Sequence, residues 1–228
     1  MPCYDRCDIT KGMRKNPLHV IKQCSRPECA MRFPVLEQDD LGRVCPLCGA
    51  ATITVEGPYE EYSIKNIPQG APDPAVEVLL DNIRSIYNVG AFFRTADGAG
   101  IRRIHLCGLT PTPAHRRLAK TALGAQDNVP WIHHRNGLTA AEDLRNSGMR
   151  LWALEGGTDS IPLSSISSDI AGPPIVLVIG NEISGVDPGI LKLCDKVVHI
   201  PMNGMKTSLN AAVSFGIAVY ALRFFRHN

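Results

Sequence analysis

Ile175-Val176-Leu177-Val178-Ile179 is apolar at every position. A strand with one face in water alternates apolar and polar residues, so an unbroken apolar run is expected of a central strand covered on both faces. Working outward, strands are expected at 76–80, 103–107, 150–154 and 196–201. Helices are expected at 88–98, 114–123, 140–146 and 208–225. Ala91, Phe92 and Ala96 fall at roughly helical spacing in the first of these. Strand–helix alternation of this kind predicts an α/β fold, a parallel sheet with helices on both faces.

The chain has 228 residues, 44% apolar and 20% charged, which is the balance of a folded protein and excludes a disordered or collagen-like chain. Its 24 basic and 22 acidic residues leave a net charge of +2, so an anionic partner must be met by a local patch. The first residues are polar and lack the apolar segment of a secretory signal. The longest apolar stretch, 211–222, is interrupted by Ser214 and Gly216 and falls short of the ~20 residues that span a bilayer. The expectation is a cytoplasmic protein with no membrane contact, whose cysteines are thiols or metal ligands rather than disulfides.

Six of the eight cysteines lie in the first 48 residues. Cys24-x4-Cys29 and Cys45-Pro46-Leu47-Cys48-Gly49 form two knuckles separated by 15 residues. Four thiolates from two tight turns suit a tetrahedral Zn²⁺, with no position left for water. A module of this size with few large apolar side chains needs such a staple. Cys3 and Cys7 are unassigned: half of a second site with His19, or ordinary thiols. The expected division is a zinc-ribbon-like RNA-binding module over 1–57, a Pro- and Gly-rich linker over 58–74, and the α/β domain over 75–228.

Two stretches are basic. Residues 1–33 hold Arg6, Lys11, Arg14, Lys15, Lys22, Arg26 and Arg32 against three acids, and 102–126 holds Arg102, Arg103, Arg116, Arg117 and Lys120 against none. Each alone suits a solvated face; the pair flanking a candidate site favours phosphate contacts.

Glycine-rich dinucleotide loops, phosphate-binding loops and nucleophile elbows are missing after the expected strands. Three other segments stand out. They are 82–98 (NIRSIYNVGAFFRTADG), 178–185 (VIGNEISG) and 200–212 (IPMNGMKTSLNAA). Together, in this order and spacing, they closely resemble the three signature motifs of the SpoU (TrmH-like) branch of the SPOUT RNA methyltransferases. The resemblance covers the chain from about Asp81 onward.

It implies a trefoil knot near the C-terminus, a homodimer, and S-adenosylmethionine-dependent 2′-O-ribose methylation of tRNA or rRNA. It further implies a donor pocket lined by Gly180, Ile200 and Leu209, with Leu154, Met202 and Gly204 beside them. Arg94 would act on the ribose hydroxyl, by holding it and the neighbouring phosphate or as its base. Asn88, which faces elsewhere than Arg94, would shape the loop mouth or meet RNA. Glu182 would brace the arginine or contact substrate, and Ser208 and Asn210 would orient donor and hydroxyl.

The glycines and apolar strand ends fit such a pocket independently, because ligands of open α/β sheets bind outside the carboxyl ends of strands. Each polar residue also has a purely structural use. Asn88 and Ser208 suit helix N-caps, Glu182 a surface ion pair, Asn210 a first-turn amide and Arg94 an exposed helix face. His105 and His199 suit hydrogen-bonded core positions, Cys107 and Cys194 buried apolar ones, and Trp131 and Trp152 packing. A SPOUT base methyltransferase, an RNA-binding zinc protein without turnover, and a thiol redox protein stay open as other readings.

Overall fold

The computed structural model describes residues 18–60, 75–166 and 170–224. The chain divides into two units, residues 1–69 and 70–228. Cys3, Cys7 and the basic residues Arg6, Lys11, Arg14 and Lys15 lie outside the described residues, as does most of the expected linker.

In the C-terminal unit the apolar run forms β9 (Ile175–Ile179), buried along its whole length. It is the middle strand of a seven-stranded sheet. The others are β4 (Val76–Asp81), β5 (Ile104–Cys107), β6 (Trp131–His134), β7 (Arg150–Leu154), β8 (Ile161–Pro162) and β10 (Lys196–His199). The order is β6-β5-β4-β9-β7-β10-β8, and every pairing is parallel. Alternation along the strands sorts them into two cores. Ile175, Leu177 and Ile179 join Val76, Val78 and Leu80 on the face covered by α1 (Ile86–Ala99) and α6 (Ala211–Phe224). Val176 and Val178 join Leu79 on the other face, under α4 (Gly137–Asn146) and α5 (Pro188–Leu191). With helices on both faces, a strand between them has no polar side, which is why β9 carries none.

α1 begins at Ser85, whose hydroxyl accepts from the Asn88 N–H, and ends at Gly100 in the left-handed region. It crosses α6 with Phe92 edge-on to Phe215, ring centroids 4.9 Å apart. The short α2 (Leu118–Ala122) and α3 (Ala125–Asn128) follow β5. The expected helix over 114–123 is therefore shorter at its start. The last helix begins at Ala211 and not at 208, because Asn210 caps it: Asn210 Oδ1 accepts from the N–H groups of Ala212 and Val213. Two strands escaped sequence reading. β6 is an edge strand of polar and half-exposed residues, and β8 is two residues long.

His105 is a core histidine: its Nε2 lies 2.8 Å from Glu77 Oε2 and its Nδ1 2.9 Å from His134 Nε2. Burial alone would raise the Glu77 carboxyl, but the His105 hydrogen bond and nearby positive charge outweigh it and hold it below its ordinary range. Trp152 and Cys107 are fully buried. Trp131 departs from the packing expectation, sitting on the edge strand 37% exposed.

The N-terminal unit is a three-stranded antiparallel sheet, β2-β1-β3, from β1 (Leu18–Cys24), β2 (Arg32–Leu36) and β3 (Thr52–Glu60). β3 runs through Pro58 and Tyr59 to Glu60, so the linker does not begin at 58 as its proline content suggested. Val20, Cys24 and Cys45 are its only buried apolar residues among those described.

Candidate active site and metal centre

The turns after β4, β7, β9 and β10 leave the carboxyl ends of strands that lie near one another in the sheet. Those after β7, β9 and β10 line one cleft of about 420 Å³. The turn after β4 and the α1 residues Asn88 and Arg94 do not line it, the turn and Asn88 being tied to it by hydrogen bonds. Its walls include Leu154, Ile179, Gly180, Ile200, Met202 and Leu209, with Glu155, Glu182, Ser208 and Asn210 among the polar groups. Sequence reading placed Gly204 here too, but it sits in an exposed turn with open space where its Cβ would be, and it does not line the cleft. A glycine among turn residues indicates a bend, not which way the bend faces.

The 180–186 turn closes on itself. Asn181 N–H donates to Gly185 O at 3.0 Å, and Gly185 N–H returns to Asn181 O at 2.9 Å. A Cβ on Gly180 would fall inside the backbone of Gly185 and Val186, so only glycine permits this closure. Asn181 Nδ2 donates to Asn82 O at 2.6 Å, joining the β9 and β4 turns. Glu155, just past β7, accepts from Val186 N–H at 3.1 Å. Sequence reading missed Glu155, Asn181 and His199 as cleft residues. The available signal was position, since each ends or follows a strand that reaches the same sheet edge. His199, expected in the core, is half-buried, lines the cleft and pairs with Ser160 at 2.8 Å.

Glu182 does not bond Arg94. Its carboxylate accepts from Arg84 N–H at 3.0 Å, Ser85 N–H at 3.1 Å and Asn88 Nδ2 at 2.9 Å. It thereby satisfies the amides of the cap and of the residue before it at the start of α1, where a negative charge is favoured. Partial burial pushes its carboxyl up, but these donors outweigh that and hold it below the ordinary range. Asn88 is buried and is not the cap, a place Ser85 takes. Its Oδ1 accepts from Asn210 Nδ2 at 3.1 Å, so Glu182, Asn88 and Asn210 form one chain of hydrogen bonds joining the first turns of α1 and α6. Ser208 is exposed at the cleft and caps no helix. Arg94, six residues beyond Asn88 and about 240° round the helix, is exposed, with no ion pair among the described residues.

In the N-terminal unit, Cys24, Cys29, Cys45 and Cys48 place their sulfurs all within 4.8 Å of one another. Cys24 and Cys48 Sγ are 3.5 Å apart, and Cys29 and Cys45 Sγ 3.7 Å. Metal–sulfur bonds of about 2.3 Å give a tetrahedron with edges of about 3.8 Å, so the donor set fits zinc. Both knuckles are built by backbone bonds: Ala30 N–H to Arg26 O, and Gly49 N–H to Cys45 O.

The model of the SpoU rRNA Methylase family matches residues 75–220. The chain is 30% identical over 201 residues to the 23S rRNA (guanosine-2′-O-)-methyltransferase RlmB of Nitrosomonas europaea, covering 83% of this chain and 72% of that one. Among solved structures, a TrmH/SpoU tRNA modifying enzyme of A. aeolicus superposes with a TM-score of 0.59 at 28% identity, over 67% of this chain and 75% of that one. An AdoMet-bound rRNA methyltransferase of Sinorhizobium meliloti gives 0.59 at 26% identity, over 76% and 63%. With its three motif segments gathered at one sheet edge and a family match across nearly the whole C-terminal unit, this chain belongs to the SpoU rRNA methylase family.

Proposed function

We propose that this protein transfers a methyl group from S-adenosylmethionine to a ribose 2′-hydroxyl of tRNA or rRNA in the cytoplasm. Membership of the family makes it an RNA methyltransferase. The observation that carries the finer reading is that the 180–186 and 200–210 segments line one cleft and that the 82–88 segment is hydrogen-bonded to both. S-adenosylmethionine supplies an activated sulfonium methyl, so the protein's own task is to align an oxygen with it and assist loss of one proton.

Gly180, Leu154, Ile200, Met202 and Leu209 would hold the donor, with backbone groups of the closed turn reading its purine edge and apolar walls flanking the ring. Arg94, always protonated, holds the phosphate beside the target ribose and donates to the hydroxyl oxygen, while that phosphate accepts the proton. Ser208 fixes the hydroxyl from the cleft wall. Glu182, Asn88 and Asn210 act as positioning residues that lock the two helix starts at the cleft.

The family's knot is supported by the interleaving of β9, β7 and β10 out of chain order and by α6 packing back on α1. Homodimerisation is supported by Val213, Ile217, Tyr220 and Phe224, an exposed apolar stripe at helical spacing along α6. One structural zinc held by the four N-terminal cysteines would staple the small RNA-binding sheet. Among the described residues no helix is long and apolar enough to cross a membrane.

Labelled S-adenosylmethionine, protein and RNA from a strain lacking the gene test the reading, with the product digested to nucleosides. Label in 2′-O-methylated nucleosides supports it; label on a base, or none in RNA, overturns it. A second test is local. In Gly180→Ala the new Cβ must displace the backbone of Gly185 and Val186, a cost that translates to about tenfold or more in donor affinity. Titration calorimetry checks it, and wild-type affinity in that variant would remove the turn from the donor site.

A further inference from the structure

Three of the most exposed large apolar side chains of the C-terminal unit lie just past the carboxyl ends of three adjacent strands. Leu109 is 76% exposed, Tyr87 74% and Ile183 81%. They follow β5, β4 and β9, which are neighbours in that order. The turns are stitched into one surface. Asn82, held at φ +56°, accepts on Oδ1 from Leu109 N–H at 3.1 Å and on its carbonyl from Asn181 Nδ2 at 2.6 Å. Gly108 is required opposite it, because a Cβ there would overlap the Asn82 side chain. Thr110 Oγ1 accepts from Ile83 N–H at 3.0 Å, and Glu182 holds Arg84 and Ser85. The three apolar groups are thus borne on a rigid shelf beside the cleft that Glu182 and Ile183 line.

The surroundings of the shelf are cationic. Arg84 is exposed in its middle turn. α2 packs against the first turns of α1, with Thr121 filling the space where a Gly90 side chain would be. Thr121 Oγ1 also reaches Ile86 O, next to Tyr87, and the same short helix bears exposed Arg117 and Lys120. None of these three cations has an ion pair among the described residues. An exposed aromatic side chain with exposed cations on its own segment and on the helix packed against it complements a stacked base with flanking phosphates better than it does an apolar peptide.

We propose that this shelf binds an unpaired base of the RNA next to the target ribose, stacked on Tyr87, with Arg84, Arg117 and Lys120 on the adjoining phosphates. The shelf thereby selects single-stranded targets and sets which neighbour of the target nucleotide is tolerated. The inference rests on the reading of the cleft as an RNA methyltransferase site.

The test uses the full-length protein and two fluorescent probes, a twelve-nucleotide oligoadenylate and a duplex RNA of equal length. Stacking of one base contributes about 5- to 150-fold in affinity. Tyr87→Ala is therefore expected to weaken oligoadenylate binding about tenfold or more, to leave duplex binding unchanged, and to leave S-adenosylmethionine affinity unchanged. Tyr87→Phe keeps the ring and is expected to bind as wild type. Arg84→Ala is expected to weaken both probes and to reduce the salt dependence by about one phosphate contact. Equal loss on both probes, or no loss in Tyr87→Ala, overturns the shelf. If wild type methylates RNA while Tyr87→Ala binds normally, the shelf alone fails. If Tyr87→Ala loses oligoadenylate and wild type methylates no RNA, the reading of the cleft fails and the shelf stands.

Discussion

Arg94→Ala is expected to lower single-turnover methyl transfer on the order of 10³-fold, the scale set by removing one preorganised donor from a developing oxyanion. The proposed donor site is built from other residues, those of the 180–186 turn and the walls from β7 and β10, so donor affinity should be unchanged. Stability should hold as well. Arg94 is exposed and carries no ion pair among the described residues, and an exposed helical position tolerates alanine. Arg94→Lys keeps the charge but not the planar fork, and is expected to fall between the two. The measurement is a single-turnover time course of label into RNA, with a donor titration and a thermal melt alongside. Transfer by Arg94→Ala within about tenfold of wild type would take Arg94 out of the chemistry.

Metal removal should produce the largest structural effect. The N-terminal sheet buries only Val20, Cys24 and Cys45 among its described apolar residues, too little to fold without a staple. Structural zinc in such sites contributes about 10–16 kcal/mol of apparent binding free energy, which is also folding free energy. One zinc per chain is expected by elemental analysis. A strong chelator, or Cys45→Ser, should abolish hydrogen-exchange protection of the β1 amides. The thermal transition of the C-terminal unit, which has its own two cores, should persist. Protein purified without metal whose β1 amides stay protected would refute the zinc reading. It would leave the cysteines to redox chemistry.

Glu182 shows why the site was only partly legible in the chain. Its place in a motif beside an apolar strand marked it as a site residue, and it does line the cleft. Its partners, the Arg84 and Ser85 amides and the Asn88 side chain, are more than ninety residues away in sequence, and no local pattern points to them. Asn88 is similar: its position suited a cap, but Ser85 is the cap, and Asn88 is instead the link between Glu182 and Asn210. Gly204 erred in the other direction, because a glycine's freedom says a turn is possible there and nothing of where it faces. Glu155 and His199 were overlooked because they belong to no motif and enter the cleft only through the lateral order of β9, β7 and β10.

Chain order alone determined the α/β class, the central place of the 175–179 strand, the family and the pairing of two cysteine knuckles. Each of these is written in local periodicity, in short spacing or in a motif, and such signals survive without knowledge of neighbours. Tertiary structure decided the strand order, the hydrogen-bonded link between two helix starts, the exclusion of Gly204 and the exposed shelf at Tyr87. Those depend on which distant turns become adjacent, and adjacency in a crossed-over parallel sheet is fixed by packing on both faces rather than by sequence proximity.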